Sequence, residues 1–172
     1  AHPILVSLAM MIFLRGLVTL AVIALLILLS TGPTGFRSRR PLLALLRGAA
    51  GFLCFTTFSM ALARLPLADA MPLYYTSPLF VMALSIPLLG EKVGPRSWAA
   101  ILVGFGGVLL VARPGDTGID PAMVLALFSA LAYSAQSLLA RKLGATETAL
   151  GMTFYSMLAF ILLAGACGLA VG

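Results

Sequence analysis

The chain has 172 residues, 62% hydrophobic and 9% charged, with a formal net charge of +6 and a mean hydropathy of +1.13. So small a charged share excludes a soluble globule, in which about a quarter of residues are charged, and defines an integral membrane protein. The positive charge does not indicate nucleic acid, because lysines and arginines stand in ones, twos and threes between apolar runs, without a basic face or a binding motif.

The first segment, Pro3 to Ser30, is apolar except for Arg15, with 11 residues before it (Ile4 to Leu14) and 14 after it (Gly16 to Leu29). Neither part spans a bilayer alone, so a crossing helix holds Arg15 inside the membrane, where ionisable residues face a cavity or a partner. Met11 and Thr19 share its face at four-residue spacing. The run is not a signal peptide, since no basic region precedes it and it exceeds the usual apolar core of about 7 to 15 residues.

A loop with Gly32, Pro33, Gly35, Arg37, Arg39, Arg40 and Pro41 follows. Leu42 to Arg64 is the second expected span, with Arg47 near enough to its start to snorkel toward the headgroups. Pro66 to Gly90 is the third, 25 residues with a single charge, Asp69. It carries Pro66, Pro72, Pro78 and Pro87, and Pro78, near the middle, has no N–H for the carbonyl of Tyr74. A bare carbonyl at that depth needs protein or a water-filled cavity over it, and transporters place substrate sites at interrupted helices. The polar-tipped Tyr74, Tyr75, Thr76 and Ser77 stand just before the break. The alternative is a kinked, packed helix whose free carbonyl is repaired by Ser77 or a neighbouring helix. Asp69, near the start, suits the positive end of the helix dipole and is expected to cap the helix, with solute gating as the alternative.

Ser97 to Ala112 is a short fourth span. Its GFGGV run has no preceding strand and is no dinucleotide loop. Ala100, Gly104 and Gly107 instead make a small-residue stripe for close helix approach. After a polar loop with Asp116 and Asp120, the fifth span, Pro121 to Ala140, groups Ala126, Ala130, Tyr133, Gln136 and Ser137 on one face, apart from Ser129 and Ser134. That face either lines a site or makes interhelical hydrogen bonds. Thr148 to Val171 is the sixth, with Thr153, Tyr155 and Ser156 in its first half.

Eight basic residues (Arg37, Arg39, Arg40, Arg47, Lys92, Arg96, Arg141, Lys142) lie on one side of these spans and two (Arg64, Arg113) on the other. The positive-inside rule puts the first side in the cytoplasm. The run M-I-F-L-R at Met11 to Arg15 is echoed by M-T-F-Y-S at Met152 to Ser156, an offset of 141. A repeat of five helices is odd in number and its copies are therefore inverted. On that arithmetic the chain is a fragment, lacking one helix before it and three after it, unless it is intact with both ends outside.

Pro66-Leu67-Ala68-Asp69-Ala70, Ser77-Pro78-Leu79-Phe80, Leu89-Gly90-Glu91, Trp98, Gly104 to Val108 and Arg113-Pro114-Gly115 resemble, in this order and spacing, the EamA type of the drug/metabolite transporter superfamily. The resemblance implies an all-α polytopic membrane helix bundle, with six spans here out of ten in two inverted repeats. It divides the chain into repeat one without its first helix (1–115) and the opening of repeat two (116–172). It further implies a bacterial inner-membrane protein that moves a small organic metabolite, such as an amino acid or a related and anionic compound, by alternating access, the bilayer and that solute being its partners. The oligomeric state stays open.

On this reading Tyr74, Tyr75 and Ser77 line a cavity at the Pro78 kink, and Tyr133, Gln136 and Tyr155 join from across the repeat interface. Arg15 grips a carboxylate or phosphate of the solute, or else pairs with helix carbonyls or snorkels. Cys54 and Cys167, both in apolar spans, form no metal or redox motif. No metal, cofactor or enzymatic activity is expected, for the chain shows no paired acids, zinc motif or serine elbow, and its one histidine is His2. The competing reading is a noncatalytic membrane subunit that packs through small-residue stripes, or a fragment without function.

Overall fold

A computed structural model of the chain describes residues 2–30, 32, 40–90, 94–112, 120–145 and 148–171. These form seven helices: α1 (His2–Ser30), α2 (Pro41–Leu62), α3 (Leu67–Tyr74), α4 (Ser77–Leu89), α5 (Pro95–Ala112), α6 (Pro121–Gly144) and α7 (Ala149–Val171). No strand occurs among the described residues. The side chain of Met11, the charges at Arg37, Arg39, Glu91, Lys92, Arg113, Asp116 and Glu147, and the expected repeat boundary at 115/116 lie outside the described residues.

Five segments are long and apolar enough to cross a membrane: Phe13–Ser30, Pro41–Leu62, Leu67–Leu89, Pro121–Gly144 and Ala149–Cys167. The third of these is α3 and α4 taken together. The remaining expected span, Ser97 to Ala112, lies in α5, whose 18 residues equal the length of Phe13–Ser30. Large apolar side chains are left exposed on these helices, among them Leu29, Val103 and Leu110, as a lipid-facing surface requires.

The residues divide into two compact units, one of Ala1–Phe52 with Leu139–Gly172 and the other of Leu53–Leu138. In the first, α1 packs along α7 through small residues, as expected where no hydrophobic effect separates helix contacts from lipid contacts. Gly16 of α1 is buried, and a Cβ on it would stand 2.7 Å from Cγ1 of Ile161. Phe13 lies against Gly165. The first half of α2 meets α7 still more tightly: a Cβ on Gly48 would fall 2.1 Å from the Ser156 carbonyl oxygen. Phe52 and Phe160 pack edge to face beside it, centroids 5.8 Å apart.

In the second unit a core of Ala61, Leu65, Ala70, Leu73, Ala122 and Ala126, flanked by Phe58 and Met123, joins the end of α2, one face of α3 and the start of α6. Four of those six residues are alanine, which lets the backbones approach closely. Asp120 opens α6 by accepting a hydrogen bond from the Ala122 N–H at 2.8 Å, the usual service of a carboxylate at a helix start. α5 packs on α3 and α4. Gly104, one member of the expected stripe, takes Leu79 against it, whereas Gly107 meets nothing within 4 Å among the described residues. α4 ends at Gly90, whose φ of +69° is the left-handed conformation that glycine adopts without strain.

The contact at Gly48 is backbone against side chain position, so a methyl there forces α2 and α7 apart. Gly48→Ala is expected to lower the melting temperature in detergent by several degrees, equivalent to about 1–3 kcal/mol. Gly106→Ala, in open space, is expected to be neutral or slightly stabilising, because alanine is the better helix former.

Candidate functional site: the break between α3 and α4

The interruption predicted at Pro78 is present. α3 stops at Tyr74, Tyr75 and Thr76 form a turn, and α4 restarts at Ser77 with Pro78 in its first turn. There the ring costs nothing, since the first N–H groups of a helix have no partner within it. The cost falls on the acceptor side: among the described residues no donor reaches the Tyr74 carbonyl. Neighbouring groups are better served. The Leu73 carbonyl accepts from both the Thr76 N–H at 3.3 Å and the Thr76 hydroxyl, and the Thr76 carbonyl accepts from Leu79 and Phe80.

A serine from α6 supports the restart. Ser134 Oγ lies 2.9 Å from the Ser77 carbonyl oxygen and 2.7 Å from that of Ala130, so its single hydrogen serves one or the other. Ser77 and Ser134 are both buried. Sequence reasoning set Ser134 aside because it lies off the Tyr133–Gln136 face. The signal available was only that Ser134 stands in an alanine-rich run among other polar residues, Ser129, Gln136 and Ser137.

Tyr74 is the hub of the polar cluster. Its ring centroid lies 4.8 Å from that of Phe58, 6.4 Å from Tyr75 and 5.6 Å from Tyr133. Its hydroxyl is 3.9 Å from Cys54 Sγ, a contact in which either group can donate. Tyr75 is 70% exposed and Tyr133 41%, and Gln136 is half-buried. Of the residues expected at the site, Tyr74, Tyr75, Ser77, Tyr133 and Gln136 belong to the second unit, and Arg15 and Tyr155 to the first. Arg15 is exposed near the middle of α1, its carbonyl accepting from Thr19 Oγ1 at 2.8 Å. Tyr155 is half-buried with its ring against Phe154. Asp69 occupies the first turn of α3, exposed, and its helix starts at Pro66 without a side-chain cap.

Arg47 differs from expectation. Its guanidinium turns into the first unit rather than toward the headgroups: Nη1 donates to Ser156 Oγ at 2.9 Å, and Nε is buried without a partner among the described residues. Ser156 in turn donates to the carbonyl of Ala44 at 3.0 Å or of Met152 at 2.8 Å. Gly48 makes this possible by bringing α2 against the Ser156 backbone. Among the described residues no cluster of histidine, cysteine, aspartate and glutamate could hold a metal.

A broken membrane-spanning helix, closed by small residues and polar-tipped at mid-depth, defines a polytopic membrane protein built around an interrupted span. The EamA-like transporter family matches residues 3–113, and the chain belongs to that family. It is 32% identical over 141 residues to a riboflavin transporter of Rhizobium johnstonii, an overlap of 82% of this chain and 47% of that protein. It is 26% identical over 125 residues to an S-adenosylmethionine uptake transporter of Rickettsia bellii (73% and 43%). It is 33% identical over 113 residues to the pseudopaline exporter CntI of Pseudomonas aeruginosa (64% and 39%). The chain thus spans about half the length of these relatives, all of which are named as transporters rather than enzymes. No solved structure matches it.

Removing the α6 support tests the geometry. Ser134→Ala is expected to destabilise the protein by about 0.6 kcal/mol, the average for a side-chain hydrogen bond between membrane helices, read as a small fall in melting temperature. Ser137→Ala, on the half-buried side of the same helix, is expected to leave it unchanged.

Proposed function

We propose that the protein is a secondary transporter of a small organic metabolite, working by alternating access in a bacterial inner membrane around the break between α3 and α4. The observation that carries this reading is the break itself, where among the described residues the Tyr74 carbonyl has no donor and the Tyr74 ring meets those of Tyr75 and Tyr133, well inside membrane-spanning segments. Such backbone is tolerated where it lines a cavity, and a cavity at mid-depth is where alternating access places its solute. Membership of a transporter family and relatives named for moving riboflavin, S-adenosylmethionine and pseudopaline support the small-molecule class.

In this reading residues 1–115 belong to one repeat and 116–172 to its inverted counterpart. Tyr74, Tyr75 and Ser77 come from the first repeat, and Tyr133, Gln136 and Tyr155 from the second. Arg15, placed near the middle of α1, supplies a fixed positive charge for a carboxylate or phosphate of the solute, since a guanidinium binds such groups through two N–H bonds. The excess of basic residues on one side sets that side in the cytoplasm.

The test is flux in vesicles that carry the product of the complete open reading frame, with a panel of labelled metabolites that includes the three solutes named for the relatives. Saturable flux of at least one solute is expected, reduced about tenfold or more in kcat/KM by Arg15→Ala and by Tyr75→Ala, the scale of a lost charged or ring contact. Folded protein that moves none of the panel, above empty vesicles, leaves the noncatalytic packing subunit as the better reading.

A further inference from the structure

The three tyrosines at the break carry an inference about the chemistry of the solute, and it rests on the transporter reading above. Tyr74 is held in place: Phe58 lies against its ring and Cys54 against its hydroxyl. The other two rings flank it and stay open, Tyr75 with 70% and Tyr133 with 41% of its surface exposed. Among the described residues neither of their hydroxyls has a hydrogen-bond partner.

Depth makes this arrangement informative. Tyr75 is the ninth residue of the segment Leu67–Leu89 and Tyr133 the thirteenth of Pro121–Gly144, about 12 and 18 Å from those starts at 1.5 Å per residue. An unpaired phenol at that depth is costly against lipid tails and is at home beside water or a polar ligand. Open rings with a free donor at the tip suit one kind of guest: a flat ring that stacks, with nitrogen and oxygen atoms on its edge for the hydroxyls. An aliphatic solute would cover the same area without the stacking.

We propose that Tyr74, Tyr75 and Tyr133 form a stacking site for a fused heteroaromatic ring, so that the solutes of this protein are ring-bearing metabolites. Tyr75 and Tyr133 supply faces and edge hydrogen bonds, and Tyr74 fixes the angle between them.

The test measures binding to the purified product of the complete open reading frame, through quenching of intrinsic fluorescence of riboflavin and of its ring alone, lumichrome, with ribitol and ribose as ring-free competitors. Adenosine serves as a second ring type by displacement. At least one of the three ring compounds is expected to bind saturably, and ribitol and ribose are not expected to displace it. Tyr75→Leu and Tyr133→Leu are each expected to weaken that binding about tenfold, whereas Tyr75→Phe, which keeps the face and loses the hydroxyl, weakens it less. Circular dichroism and melting temperature check that each variant is folded. Ring compounds binding no better than ribitol and ribose, or folded leucine variants binding as tightly as wild type, overturn the stacking site. Flux of an aliphatic solute unaffected by the leucine variants overturns it while leaving the transporter standing. Ring binding without flux of any solute supports the stacking site and rejects the transporter.

Discussion

One missing N–H organises the second unit. Pro78 cannot donate to the Tyr74 carbonyl, and the span Leu67–Leu89 divides just before it into α3 and α4, whereas Pro72 and Pro87 stand inside those helices without ending them. The fold accommodates the break by serving every group it can. Thr76 turns its hydroxyl back onto Leu73, Ser134 reaches across from α6 to Ser77, and alanines at 61, 70, 122 and 126 bring α2, α3 and α6 close enough for that reach. Among the described residues the Tyr74 carbonyl alone of these groups stays without a donor, and the Tyr74 ring packs near those of Tyr75 and Tyr133.

The first unit solves a different problem by related means. Arg47 stands about 9 Å in from the start of α2 at 1.5 Å per residue, too deep for its charge to be indifferent to its surroundings. Instead of snorkelling, its head finds Ser156 on α7, and the absence of a side chain at Gly48 is what lets the two helices meet there. Here a small residue and a polar pair depend on each other. A buried hydrogen bond between membrane helices is worth little alone, but the close packing that permits it removes lipid from both surfaces.

How much of this was legible in the sequence follows from the range of each interaction. Span positions came from apolar length, and the break from Pro78, because both are local along the chain. The polar tips at Tyr74, Tyr75 and Tyr133 were legible for the same reason, although the meeting of Tyr74 with Tyr133 needed two helices to be placed. Ser134 escaped because a helical wheel assigns it by angle within α6, while its partner lies 57 positions away. Arg47 escaped because nothing near it marks Ser156, 109 positions on, as a partner. The stripe in α5 was half right, since Gly104 meets Leu79 and Gly107 meets nothing among the described residues, a distinction that spacing within one helix does not contain.

The central claim is that the break faces water inside the membrane, and reactivity of a thiol placed there measures it most directly, because the thiolate that reacts forms only where water reaches. Tyr75→Cys is compared with Val103→Cys, near the middle of α5 and 77% exposed, both in a background with Cys54 and Cys167 replaced by alanine. A charged, membrane-impermeant thiol reagent is expected to label the residue at 75 far faster than the one at 103. Equal, slow labelling at both positions would mean that the break faces lipid or packed protein, and would contradict the account.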